Sequence, residues 1–358
     1  SQGFIAALLG TAAVISFLKF TNNSSVEEVS STSVTNLMIA GAIITTGAAL
    51  FIGNFTQTNL SISWFILPLL TVPAGAIPVW LLFRLGTKDL PAQSRWRNWG
   101  TFGLSISLTP FLLLILEIIV IVFVFFIVAI FVAADPDLTR EIETITSQLR
   151  FIDPASPDDA IRLFAPYLSR PGVILPTLAL FSVIFPMMEE AFKPLGVWLL
   201  AGKLTTQAQG FAMGALCGAG FALVETLSVS AQTDDWAGLL FARIGTSAMH
   251  ITTSALIGGG IISAFREKRY LRLLATYLLA VLLHGTWNFL ALANSFSTIL
   301  NTYEASDLYQ NITTSSGIGL IVLAIALIVI LILSNRRLPK PDTEDAPSAT
   351  LDERSTAA

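Results

Sequence analysis

Nine stretches of about twenty predominantly apolar residues divide this 358-residue chain, and no other feature constrains its fold as strongly. They fall at 3–20, 34–53, 60–84, 105–134, 173–201, 208–231, 240–265, 271–294 and 315–334. Each is long enough as an α-helix to cross a bilayer core, where every backbone polar group must find its partner inside the protein. Composition agrees, because only 12% of the residues are charged and 54% are hydrophobic. Soluble domains carry roughly twice that charge, so a wetted surface could not be built from this sequence. The chain is read as all-α, a polytopic transmembrane bundle of about nine spans.

Lys and Arg distribute asymmetrically between the connections. Arg84, Lys88, Arg95 and Arg97, then Lys203, then Arg266, Lys268, Arg269 and Arg272, then Arg336, Arg337 and Lys340 lie in alternating connections. The excess of basic residues in cytoplasmic loops therefore predicts an external N-terminus and a cytoplasmic C-terminus. Segments 135–172, 232–238 and 295–314 become external. Within 135–172, Ile142, Ile145 and Leu149, then Ile161, Phe164 and Leu168, recur at helical spacing, with Ser156, Pro157 and Asp159 as a helix start. Two amphipathic surface helices are expected there, acting as a cap. Pro110 lies inside the fourth stretch, which is too long for one upright crossing, and the crossing is expected to follow that proline. Five segments result: spans one to four in 1–134, the external loop 135–172, a four-helix core 173–294, a loop and last span 295–334, and a disordered tail 335–358. The chain begins at Ser1 without a methionine, which fits a processed or trimmed start, and 3–20 is read as a span, not a signal peptide.

The formal charge of −4 supplies no basic excess for a nucleic-acid backbone, and the single Cys217 allows neither an internal disulfide nor a cysteine-based zinc site. The informative residues are the ionisable ones inside spans. Each costs roughly 2.5–3.5 kcal/mol to insert, so they are retained chiefly where paired or used. Glu189, Glu190 and Lys193 lie in the fifth stretch, Glu225 in the sixth, Arg243 and His250 in the seventh, and His284 with Asn288 in the eighth. Both histidines of the chain are thus intramembrane. Glu189 and Lys193 share a helix face, while Glu190 points about 100° away. Pro194 removes the hydrogen bond the Glu190 carbonyl would accept, which implies a cavity that protein or water fills. Gly210, Gly214 and Gly218 repeat every fourth residue and turn Glu225 toward the bundle. Two adjacent carboxylates in a poorly hydrated site cannot both ionise cheaply. One is expected to hold a proton while the other acts as base, an arrangement suited to activating water for attack on a carbonyl. Glu117, alone in the run 111–132, fits no motif.

Glu-Glu-x-x-Lys at 189–193, Phe-x-x-x-Glu at 221–225, Arg-x6-His-x3-Ser-x3-Gly at 243–258 and His-x-x-Trp-Asn at 284–288, in that order, resemble the PrsW family of bacterial intramembrane proteases. That family is similar in turn to CAAX prenyl endopeptidases and bacteriocin-processing proteins. The resemblance covers about residues 173–294. It implies a multi-pass cell-membrane hydrolase acting on a membrane-anchored protein such as an anti-sigma factor, with Glu189 and Glu190 catalytic and Glu225, His250 and His284 completing the site. His284 and Asn288 would stabilise the oxyanion. Thr226 stands where Asn is expected, and Glu225 where CAAX-type relatives have His. No cofactor is favoured. If a metal is bound, zinc on Glu225, His250 and His284 is the expected set, although the usual His-Glu-x-x-His spacing is missing. The alternative function is a proton-coupled transporter using the same groups as a relay.

Overall fold

A computed structural model describes residues 2–22, 35–57, 60–91, 93–152, 157–168, 170–229 and 235–340. Among these the chain is helical throughout, with nine helices or helix runs long and apolar enough to span a membrane. α1 (Gln2–Asn22), α2 (Asn36–Thr56) and α3 (Leu60–Gly86) are the first three. The fourth is divided into α4 (Arg95–Ile106) and α5 (Leu108–Ala134). The break falls at Ser107, ahead of Pro110. That proline occupies the first turn of α5, where a missing N–H leaves no bond unmade. α4 packs against α1.

Both expected amphipathic helices are present, as α6 (Pro136–Leu149) and α7 (Pro157–Leu168); Ser156 lies outside the described residues. Asp135 caps α6 by accepting from the amides of Asp137 and Leu138. Arg170 grips Glu141 with 2.7 and 2.9 Å contacts, which holds the Glu141 carboxyl below its usual range and ties α6 to the next span. That span is interrupted: α8 (Pro171–Ala179), a π-helical turn at Leu180–Ile184, α9 (Phe185–Phe192) and α10 (Leu195–Leu200).

The centre of the bundle is the antiparallel pair α11 (Gln207–Val229) and α12 (Trp236–Glu267), both buried along most of their length. α4 packs on α11, and α3 on both helices of the pair. Lipid-free burial of two helices requires close approach, which the glycine stripe permits. A Cβ on Gly210, Gly214 or Gly218 would overlap the carbonyl of Gly258, Ser254 or His250 respectively. Gly218→Val is therefore expected to cost roughly 1–3 kcal/mol through overpacking. It should lower the detergent melting temperature and displace His250, an outcome checked by thermal unfolding.

α13 (Tyr270–Tyr303) and α14 (Asp307–Arg336) complete the fold. The expected loop at 295–314 is instead helical on both sides of a short turn. Hydropathy drops there because the helices exchange polar contacts: Asn294 donates to the Thr313 carbonyl at 2.8 Å, and the Ser297 and Thr313 hydroxyls meet at 2.8 Å. The tail expected to be disordered from Asn335 is packed through its first residues, with Asn335 donating to the Lys88 carbonyl at 3.0 Å. Residues 341–358 lie outside the described ones. The basic connections meet at one end of the bundle. Arg266 donates to the Gly202 and Leu204 carbonyls, Lys203 lies over the Trp96 ring, and Lys340 reaches Asp89.

Candidate active site

The π-helical turn and the two prolines determine where the carboxylates stand. Pro186 sits in the first turn of α9, and Pro194 ends that helix at Phe192, leaving Glu189, Glu190 and Lys193 on a short rigid piece. α13 holds the preceding turn in place. Asn288 donates to the Phe181 carbonyl and Tyr277 to the Met187 carbonyl, each at 2.8 Å. A Cβ on Gly285 would strike the Ser182 carbonyl, so only glycine permits this contact beside His284.

The resulting hydrogen-bond network is continuous across four helices. The Lys193 ammonium, fully buried, lies 2.8 Å from Glu190 Oε1, 3.0 Å from Glu189 Oε2 and 2.7 Å from His250 Nδ1. Because an ammonium only donates, His250 Nδ1 accepts, and its Nε2–H donates to Glu225 Oε2 at 2.6 Å. Arg243 clamps Glu225 from the other side, at 3.0 Å to Oε1 and 2.8 Å to Oε2. His284 Nδ1 donates to Glu190 Oε1 at 2.8 Å, which leaves the lone pair on Nε2, 4.0 Å from Glu189 Oε2. The rings of His250 and Phe221 meet edge to face, and Lys193 lies 4.9 Å above the Phe221 ring.

Glu190, Lys193, His250 and His284 are sealed from solvent, whereas Glu189 is 12% exposed and Glu225 36% exposed. Three carboxylates (Glu189, Glu190, Glu225) face two cations (Lys193, Arg243), so neutral histidines leave the cluster one positive charge short. A proton or a bound cation would balance it.

The structure gathers Glu189, Glu190, Lys193, Glu225, His250 and His284 into one cluster. Asn288 is not part of it: its amide donates to the Phe181 carbonyl on the π-helical turn. Arg243 pairs with Glu225 and lies 3.4 Å from the Thr226 hydroxyl. Trp287 is buried packing against Gly245. The three-donor set also differs from expectation. Glu189, not Glu225, joins His250 and His284, with ligand atoms within 4.8 Å of one another. Two imidazole nitrogens and a carboxylate fit zinc in kind and number. Glu225 is committed elsewhere, to Arg243 and His250. The position among these donors is held by Lys193, so a metal would have to displace its ammonium.

Glu117 acquires a place. It lies on α5, which packs against α9 and α11, within electrostatic reach of Glu189, Lys193 and Glu225. The signal in the sequence was weak: Thr109, Leu113 and Glu117 repeat every fourth residue along one face, of which the first two are buried.

Residues 159–332 match the PrsW family of intramembrane metalloproteases. That match identifies an intramembrane protease domain over these residues. The match runs from α7 into α14, beyond the four helices that carry the motifs, and takes in every residue of the polar cluster. It gives no support to a transporter. No curated protein and no solved structure matches the chain.

Proposed function

We propose that the protease hydrolyses peptide bonds of membrane-anchored proteins, anti-sigma-factor-like regulators among them, with Glu189 as the base that activates water. The observation that carries this reading is the contrast between the paired glutamates. Glu190 is sealed and bonded to Lys193 and His284, whereas Glu189 keeps partial exposure and a single ammonium contact. A base must reach both water and substrate. In this reading Glu189 takes a proton from water as the water oxygen attacks the scissile carbonyl carbon. The C–N bond then breaks, and the proton passes to the departing nitrogen, directly or through His284 Nε2 beside Glu189, giving an acid and an amine. Lys193 stabilises the developing charge. Glu190 orients both Lys193 and the His284 ring, and the Arg243–Glu225–His250 chain fixes Lys193 from the opposite side. With the basic connections cytoplasmic, the N-terminus and the α6–α7 belt lie outside.

A second reading is favoured by the convergence of Glu189, His250 and His284, which would hold a zinc ion after Lys193 withdraws. Such an ion would supply Lewis-acid polarisation of the scissile carbonyl. We favour the metal-free form because the ammonium already bonds the same donors.

The deciding experiment compares new protein N-termini in host membranes carrying wild type or Glu189→Gln at matched expression. Fragments confined to wild type are expected; their absence would remove the protease assignment of this site. Activity of the purified enzyme is expected to survive chelation, and stoichiometric zinc lost together with activity would select the second reading.

A further inference from the structure

Glu117 lies within the most apolar of the described spans, the run α4–α5, where a carboxylate is retained chiefly when it is paired or used. It is not paired: among the described residues it makes no hydrogen bond and no ion pair. The pattern of exposure along α5 sets its direction. Thr109 and Leu113 are buried, and Glu117, Val120 and Val124 are half-buried, which makes one stripe at helical spacing. The flanking Leu114, Ile118 and Ile119 are open to lipid. Besides its sequence neighbours α4 and α6, α5 packs chiefly against α9 and α11, so the stripe turns Glu117 toward the two helices that carry Glu189 and Glu225. Those are the carboxylates of the cluster that keep exposure. Glu117 is within electrostatic reach of both.

The sign of a ligand follows from the charges around it. Lys193 and Arg243 are each bonded to carboxylates of the cluster at 2.8–3.0 Å, which leaves neither for Glu117. A cation would meet this carboxylate with about twice the strength of a neutral N–H or hydroxyl donor. Lysine and arginine also carry apolar stems that suit the lipid-facing surface beside Glu117. We propose that Glu117 is a specificity-determining residue, which binds a lysine or arginine side chain of the substrate beside α9 and α11. The peptide bond at a fixed distance from that basic residue is then the one presented to Glu189. This inference rests on the proteolytic reading of the site and adds its specificity.

The test uses full-length protease in host membranes, with Glu189→Gln as the background that defines cut sites. In wild-type membranes, cuts are expected to share Lys or Arg at one fixed position near the scissile bond. Replacing that residue by Gln in an identified substrate should lower cleavage by wild type roughly tenfold or more. In Glu117→Gln membranes the ratio of cleavage between the basic substrate and its Gln variant should fall to near one, a ratio that does not depend on how much protease accumulates. Glu117→Met, similar in length and at home in an apolar span, repeats the test if Glu117→Gln does not accumulate. Glu117→Lys should reverse the preference and favour Glu at the same substrate position. Wild-type cuts with no shared basic position, or a ratio that survives in the Glu117 variants while both substrates lose cleavage equally, would overturn the proposal and leave the protease reading intact. No wild-type-specific cuts would remove that reading and the proposal with it.

Discussion

Lys193→Met is expected to cost roughly 3–5 kcal/mol of stability and to abolish cleavage. Among the described residues Lys193 is the one cation touching both paired glutamates, and it is sealed from solvent together with Glu190. Its removal leaves two carboxylates facing each other and strips His250 Nδ1 of its donor. Water, which reaches the site only past the partly exposed Glu189, supplies no positive charge in place of the ammonium. Thermal unfolding in detergent should show the destabilisation. The double variant Lys193→Met, Glu190→Gln should recover part of it, since the second substitution removes the charge that the first left unpaired. Additivity of the two losses would mean that the pair is not coupled as the distances indicate. Zinc offers a further discrimination. If added zinc restores the stability of Lys193→Met, the freed donors of Glu189, His250 and His284 accept a metal once the ammonium is gone.

Glu189→Gln and Glu190→Gln are expected to lose activity together but stability separately. Removal of a positioned general base lowers turnover by about 10²–10⁴-fold. Glu189 makes one ammonium contact and is partly exposed, so Gln in its place should leave the melting temperature within a few degrees of wild type. Glu190 bonds both Lys193 and His284 in a sealed setting, so its Gln variant should fall well below that. Cleavage of an identified substrate and unfolding of the same preparations would be measured side by side. Retained cleavage in Glu189→Gln would exclude that residue as the base. Equal destabilisation of the two variants would contradict the division of labour between them.

The helical class and the nine spans were legible because bilayer insertion imposes a length and a hydropathy that short windows detect. The polar cluster was legible for a related reason: an ionisable residue in a span stands out against an apolar background, and helical spacing assigns it a face. The motifs at 189–193, 221–225, 243–258 and 284–288 therefore marked the residues that the fold brings together. The continuation of α13 and α14 toward each other was not legible, because Asn294, Ser297 and Thr313 lower hydropathy while satisfying one another across the interface.

What the sequence by itself determined is the set of residues that must avoid lipid, since that follows from local composition and a 3.6-residue period. What only the tertiary structure decided is which of them meet. Glu189 rather than Glu225 stands with the two histidines, Arg243 closes on Glu225, Asn288 donates to the π-helical turn, and α5, which carries Glu117, packs against α9 and α11 from a position remote in sequence. Periodicity fixes the face a side chain occupies on its own helix. The rotation and depth of each helix against its neighbours depend on long-range packing, here on the Gly218–His250 and Gly285–Ser182 approaches, which spacing along one chain cannot encode.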